Sequence, residues 1–128
     1  MNTNSPKRVL LVDDDPQIRE TVRTILELHG YNVLVACDGT EGLMRAERDA
    51  PDLIVLDVLM PRRSGFAVLD RLRCRRHAGP RIIIVTANEG EHQQELAVSK
   101  GADGFLQKPF ELSKLVTLID TLLKPTAA

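Results

Sequence analysis

Four aspartates and one lysine carry the chemistry that this sequence is equipped to do. Asp13, Asp14 and Asp15 follow one another directly after the apolar run Val9-Leu10-Leu11-Val12, and Asp57 follows a second run, Leu53-Ile54-Val55-Leu56. Adjacent carboxylates repel, so a folded chain keeps them together only where water, a helix N-terminus or a cation offsets the repulsion. If Asp13, Asp14 and Asp57 converge, a hard divalent cation relieves the repulsion best. Mg²⁺ suits the case, because it takes one or two protein carboxylates and fills its remaining octahedral positions with water and phosphate oxygens. An acidic, metal-loaded pocket is then a phosphate site. Lys108 adds a point charge for one phosphoryl oxygen and the Thr86 hydroxyl donates a hydrogen bond to another. In those surroundings Asp57 can attack phosphorus and carry the phosphoryl group as an acyl phosphate.

Such a pocket needs a scaffold that brings residues far apart in sequence to one edge. Five short apolar runs punctuate the chain: Val9 to Val12, Val33 to Ala36, Leu53 to Leu56, Ile82 to Val85 and the weaker Phe105-Leu106. They are rich in Val and Ile and do not alternate with polar residues, as expected of strands buried on both faces in a parallel sheet. Helical spacing lies between them. The first helix carries Ile18, Val22, Ile25 and Leu26, with Asp15 as N-cap, Pro16 at the first helical position and Gly30 just past the end. Leu43 and Ala46 mark a second helix, and Phe66, Leu69 and Leu72 a third. A fourth, Glu89 to Lys100, has only Leu96, Ala97 and Val98 to pack and should be the least firmly held. The last carries Leu112, Leu115, Val116, Ile119, Leu122 and Leu123, the clearest amphipathic stripe in the chain.

Strand and helix alternating five times predict an α/β fold, a doubly wound five-stranded parallel sheet with right-handed crossovers. Ligands bind such sheets beyond the carboxyl ends of the strands. That rule puts Asp13 and Asp14 after the first strand, Asp57 after the third, Thr86 after the fourth and Lys108 after the fifth. Singly, each has an ordinary alternative: Asp57 a turn residue, Thr86 a β-branched strand end, Lys108 a solvated charge, Phe105 a core side chain. Their joint arrival at one sheet edge argues for the pocket.

Composition bounds the rest. At 128 residues the chain fits a single domain, with residues 1–6 read as a loose tail, 7–124 as the domain and 125–128 as a second tail or the start of a linker. Seventeen Lys and Arg nearly balance eighteen Asp and Glu, which leaves no global field to draw nucleic acid or anionic lipid. The basic stretch Arg71, Arg73, Arg75, Arg76, His77 and Arg81 reads as a solvated helix end, not a direct nucleic-acid contact. Cys37 and Cys74 lack metal or redox spacing, and His29, His77 and His92 lack ligand spacing. With neither an apolar signal core at the start nor a run near the ~20 residues that span a bilayer, the expected location is the cytoplasm.

The segments VDDDP, LIVLDVLMP, IIIVTA and GADGFLQKPF together resemble the signature of response-regulator receiver domains, the CheY-like phospho-acceptor modules of bacterial two-component signalling. The resemblance covers nearly the whole chain and implies a (βα)5 flavodoxin-like fold. It implies that Asp57 is phosphorylated by a histidine kinase, a phosphotransfer domain or a small phosphodonor, and that the chain promotes only its own phosphorylation and dephosphorylation. It also implies direct Mg²⁺ ligation by Asp14 and Asp57, help from Asp13 through water, and a further ligand in the Leu59 carbonyl. Lys108 would pair with the phosphoryl group and Thr86 would move to hydrogen-bond it. Phe105 would be the aromatic switch that turns inward, Pro109 would follow a cis peptide, and the small Ala87 would let its N–H approach phosphate. The signal would leave through the face of the fourth helix, fifth strand and fifth helix, toward an output domain, a downstream protein or a phosphorylation-dependent homodimer.

The sequence departs from the family pattern at several places. Phe105 stands where tyrosine is frequent, so the switch has no hydroxyl to bond. The loop after the phosphorylation site reads Pro61-Arg62-Arg63-Ser64-Gly65, and its two arginines bear on partner choice. Leu59 and Asn88 occupy positions that influence water access to the acyl phosphate, and an apolar Leu59 predicts slow self-dephosphorylation. Two other function classes fit less well. A Mg²⁺-dependent aspartyl-phosphate phosphohydrolase would carry a second acid two residues after its nucleophile, where this chain has Leu59. A flavin-binding module would cradle phosphate in a first loop rich in Ser, Thr and Gly, where this chain has three aspartates.

Overall fold

The computed structural model describes residues 6–60, 64–75, 79–87 and 91–123. Most of the expected N-terminal tail, all of the C-terminal one, Pro61 to Arg63, Arg76 to Ala78 and Asn88 to Gly90 lie outside the described residues, as do the side chains of Cys74, Arg75 and Glu91. The elements alternate as β1 (Arg8–Val12), α1 (Pro16–Leu28), β2 (Asn32–Ala36), α2 (Gly39–Asp49), β3 (Leu53–Asp57), α3 (Gly65–Arg75), β4 (Arg81–Thr86), α4 (Glu91–Ser99), β5 (Gly104–Gln107) and α5 (Leu112–Leu123). All strand pairs are parallel and the sheet order is β2-β1-β3-β4-β5. The chain therefore reverses its direction of travel between β1 and β3, and the crevice at their carboxyl ends is the topological switch point where such sheets bind ligands.

The apolar runs feed two cores. Leu10, Val12, Ile54, Leu56, Ile82 and Ile84 point to the face covered by α2, α3 and α4, where Leu43, Ala46, Val68, Leu69 and Ala97 meet them. Val9, Leu11, Leu53, Val55, Ile83 and Val85 point to the other face, against Val22 and Leu26 of α1 and Leu115, Val116 and Ile119 of α5. Both faces being covered explains why these strands show no polar alternation. The edge strands are less enclosed: β2 and β5 are mostly half-buried, against full burial of β3.

Local chemistry sets the helix starts. The Asp15 carboxylate accepts the Gln17 N–H at 2.9 Å and Pro16 is the first helical residue of α1, so this aspartate is a cap. Gly30 follows the end of α1 at φ +92°, a conformation that glycine adopts without a Cβ penalty. Asp38 caps α2 through the Glu41 N–H at 2.8 Å. The fourth helix departs from expectation at Val98, which is exposed; only Ala97 is buried and Leu96 is half-buried. A nine-residue helix whose described side chains include one buried residue, an alanine, is weakly anchored, as its polar sequence predicts.

Candidate functional site

Strand pairing delivers the site residues, and it runs slightly further than the apolar runs do. Asp57 and Thr86 are the last residues of β3 and β4, and Asp13 and Lys108 each lie one residue past a strand. The Asp13 N–H donates to the Ala36 carbonyl at 3.2 Å and the Lys108 N–H to the Thr86 carbonyl at 2.8 Å, so the ladder continues into both loops. Val58 N–H donates to the Val85 carbonyl at 2.9 Å and fixes the chain as it leaves Asp57. The Lys108–Pro109 peptide is cis, as the resemblance implied.

One carboxylate oxygen from each of Asp13, Asp14 and Asp57 lies within 4.8 Å of the others. Asp13 and Asp57 are buried, at 4% and 5% exposure, whereas Asp14 is open to solvent. The Asp15 backbone N–H donates to Asp13 Oδ1 at 2.9 Å, which turns the Asp13 side chain over its own loop. Lys108 Nζ enters this group from β5, 3.0 Å from Asp13 Oδ2 and 3.5 Å from Asp57 Oδ2. The lysine is thus an internal cation that leans on Asp13. An all-oxygen donor set of three acids, one of them open to water, matches what a hard divalent cation takes.

Electrostatics follow from crowding. Burial first, and then repulsion from Asp13, push the Asp57 carboxyl up to about 6; Lys108 offsets part of this and Asp14 adds to it. Burial acts to lower the Lys108 ammonium, but its hydrogen bond to Asp13 and the charges of Asp13 and Asp57 outweigh that and hold it above the ordinary lysine value. Asp57 is therefore a carboxylate short of compensation in a nearly dry setting, and any added cation is welcome there.

The remaining residues surround this centre. Thr86 is fully buried at the end of β4. Phe105 is half-buried, paired in register with Ile84 and packed on the core of α2, α3 and α4. Leu59 is 55% exposed two residues beyond Asp57, and Ala87 is exposed. An open groove of about 720 Å³ between α1 and the start of α5 runs beside Lys108, lined by Ile18, Val22, Ala87, Phe110 and Leu112 among others. His29 and His92 are exposed and outside the acid group. Cys37 is exposed too, and its hydrogen bond to Glu41, with some burial, raises its thiol above the ordinary value.

Sequence reasoning missed two contacts to this centre. Arg19 Nη1 donates to the Asp13 carbonyl at 2.7 Å. Arg19 stands one helical turn after the Asp15 cap, and long side chains on a helix lean back toward its N-terminus, so the spacing held the signal. Gly65 opens α3 directly against the Asp57 carbonyl.

Known proteins align with this arrangement. The family described as "Response regulator receiver domain" matches residues 9–120. A response regulator of Mycobacterium leprae, MprA, is 42% identical over 119 residues, covering 93% of this chain and 52% of that protein. The chain spans about half the length of the curated relatives it matches. Among solved structures, a CheY-like receiver domain protein from Methanospirillum hungatei superposes with a TM-score of 0.85 at 32% identity, covering 92% of this chain and 94% of that one. A CheX–CheY–BeF3–Mg complex from Borrelia burgdorferi contains a chain with a TM-score of 0.87 at 25% identity, covering 94% of this chain and 91% of that one.

Proposed function

This chain belongs to the response-regulator receiver family, and on that premise we propose that it takes a phosphoryl group from a histidine kinase, a phosphotransfer domain or a small phosphodonor onto Asp57. The observation that carries the reading is the position of Lys108 Nζ between two buried carboxylates whose oxygens, with one from Asp14, lie within 4.8 Å of one another. In the transfer, an Asp57 carboxylate oxygen forms the bond to phosphorus while the bond from phosphorus to the donor's imidazole nitrogen breaks, and the electron pair of that bond leaves with the imidazole. Asp14, Asp57 and the Leu59 carbonyl, with Asp13 through water, would hold Mg²⁺, which would supply positive charge for the phosphoryl oxygens. Lys108 is already charged and within reach of Asp57, so it can follow the new phosphoryl oxygens by giving up Asp13. The groove beside Lys108 offers the donor domain an apolar seat.

Phosphorylation then shifts a population between two packings. The Thr86 hydroxyl turns to the phosphoryl group and Phe105 follows inward, which changes the face of α4, β5 and α5. The weak anchoring of α4 supports that route. Because the curated relatives are about twice as long, the receiver serves an output domain in the cytoplasm or meets a downstream protein or a second copy there. Among the described residues no helix is long and apolar enough to cross a membrane. Leu59 has no acid to activate water, which supports a phospho-acceptor with a slow self-dephosphorylation over a phosphohydrolase.

Mass spectrometry after incubation with acetyl phosphate and Mg²⁺ tests the reading. Wild type gains the mass of one phosphoryl group and Asp57→Asn gains none. An equal gain in both would defeat the assignment.

A further inference from the structure

The geometry points to Gly65 as a positioning residue for Asp57: the start of α3 is seated on the nucleophile's own peptide, and only a residue without a side chain leaves that peptide where it is. The inference rests on the phosphoryl-transfer reading above and adds to it what aims the carboxylate.

Gly65 is buried at the first position of α3. Its N–H donates to the Val58 carbonyl at 3.0 Å, so the chain that leaves β3 at Asp57 returns to touch its own origin. A Cβ built on Gly65 would overlap the Asp57 carbonyl oxygen and lie 3.0 Å from the Asp57 carbonyl carbon and 3.1 Å from Val58 Cα. These are backbone atoms and cannot swing aside as a side chain tip does. They are also pinned from the far side, because Val58 N–H is bonded to the Val85 carbonyl and Asp57 is in register with Val85.

A methyl group at position 65 therefore has two outlets. Either α3 lifts off β3, or the Asp57–Val58 peptide turns and carries the Asp57 Cα–Cβ direction with it. The second outlet acts on the site directly, since Asp57 Oδ2 stands 3.5 Å from Lys108 Nζ and shares the 4.8 Å cluster with Asp13 and Asp14. Displacements near 1 Å in such a constellation cost about a hundredfold in rate. The other glycines with close neighbours meet side chains: Gly42 faces Val12 methyls, Gly101 faces Arg73, and Gly104 faces Leu118 and Ile83. At those positions the neighbours have rotamers with which to adjust.

The test compares wild type, Gly65→Ala and Leu26→Ala in the full chain. Leu26 is a buried residue of α1 in the other core, a cluster that includes no residue of α3 or of the acid group. Phosphorylation by acetyl phosphate is followed at saturating Mg²⁺ and expressed per folded molecule from circular dichroism. Mg²⁺ affinity is measured separately by calorimetry without phosphodonor. Gly65→Ala should lose tenfold to a hundredfold in rate and several-fold in Mg²⁺ affinity, while Leu26→Ala melts earlier with both readouts within twofold of wild type. Rate and Mg²⁺ affinity of folded Gly65→Ala within twofold of wild type would overturn the inference. Should Gly65→Ala not fold, Ser64→Ala decides. It removes the Oγ that accepts the Ala67 N–H at 3.2 Å and loosens the start of α3 without a collision. A fall of twofold or more in rate per folded molecule supports the positioning role, and an unchanged rate defeats it. A wild type that gains no phosphoryl group marks failure of the functional reading, a separate result from a phosphorylated wild type matched by its glycine variant.

Discussion

The two ends of the sheet use the same residue types to opposite effect. At the amino ends of the strands, Asp103 accepts Arg73 Nη2 at 2.8 Å, the Ile82 N–H at 2.8 Å and Arg81 Nη1 at 3.4 Å. Arg73 spends its other donors on the Gly101 and Pro80 carbonyls, each at 3.0 Å. Asp52 accepts the Arg8 N–H at 2.8 Å nearby, and the Arg8 guanidinium reaches the Asp49 carbonyl. Asp103 there gathers three donors, two of them cationic. At the carboxyl ends, Asp13 and Asp57 share the ammonium of Lys108, and Asp14 adds a third carboxylate to the same group. Satisfied charge ties α3, β4 and β5 together, whereas under-compensated charge leaves work for a ligand to do. The comparison is a physical form of the division between stability and function in parallel α/β proteins.

The largest effect should come from breaking the satisfied end. Asp103→Ala strips the acceptor from three donors, and the Arg73 and Asp103 side chains are each only about one fifth exposed. Leaving such groups unpaired costs about 2–4 kcal/mol. At roughly 3–6 °C per kcal/mol for a chain of this size, the melting temperature falls by on the order of 10 °C. The phosphorylation rate per folded molecule stays within twofold of wild type. A large loss of rate without a loss of stability would reverse the roles assigned to the two ends.

How legible the molecule was in sequence follows the same divide. The five runs, their burial and the landing of Asp13, Asp57, Thr86 and Lys108 on one edge could be read, because parallel strands covered on both faces are mostly apolar and the polar residues that follow each run mark its carboxyl end. The cap at Asp15 could be read for a similar reason: one side chain decides it locally. The Arg73 to Asp103 network could not, because its members are thirty residues apart and each is an ordinary surface residue by type. The stretch containing Arg73 looked like a solvated helix end, and Arg73 is in fact half-buried and fully engaged. Gly65 was visible only as part of a loop, since a glycine needed for space looks the same in sequence as one needed for a turn. Val98 misled because an apolar residue in a short polar helix was assigned to the core without a register to say which way it faced.

A second break point is the under-compensated end itself. Asp57 has a folded value near 6 against an ordinary 3.8, with burial the first cause and Asp13 the second. A carboxyl whose folded value lies above its unfolded one favours folding while protonated. That contribution is present below about pH 4 and is lost as the pH rises through 6. In metal-free protein, Asp57→Asn should therefore raise the melting temperature at pH 8 by several degrees and by little at pH 4. Thermal melts of both proteins across that range check it. A variant less stable than wild type at pH 8 would mean that Asp57 is well compensated by Lys108, and the contrast between the two ends would disappear.

The smallest effect in metal-free protein should come from Asp14, and that is what makes it informative. Asp14 is exposed, so water already screens its charge, and Asp14→Ala should change stability by no more than about 0.5 kcal/mol without metal. Its proposed work begins when a cation arrives. A ligand that binds only the folded state stabilises by about 2.7 kcal/mol at one hundred times its dissociation constant. Mg²⁺ titrated into wild type should therefore raise the melting temperature progressively, and the same titration of Asp14→Ala should raise it far less. Lys108 already neutralises one charge between Asp13 and Asp57, so Asp14 is the carboxylate free to turn toward the solvent side and meet the ion. An Asp14→Ala protein that gains as much from Mg²⁺ as wild type would move the ion to the buried pair, and Lys108 would then have to leave Asp13 before any donor binds.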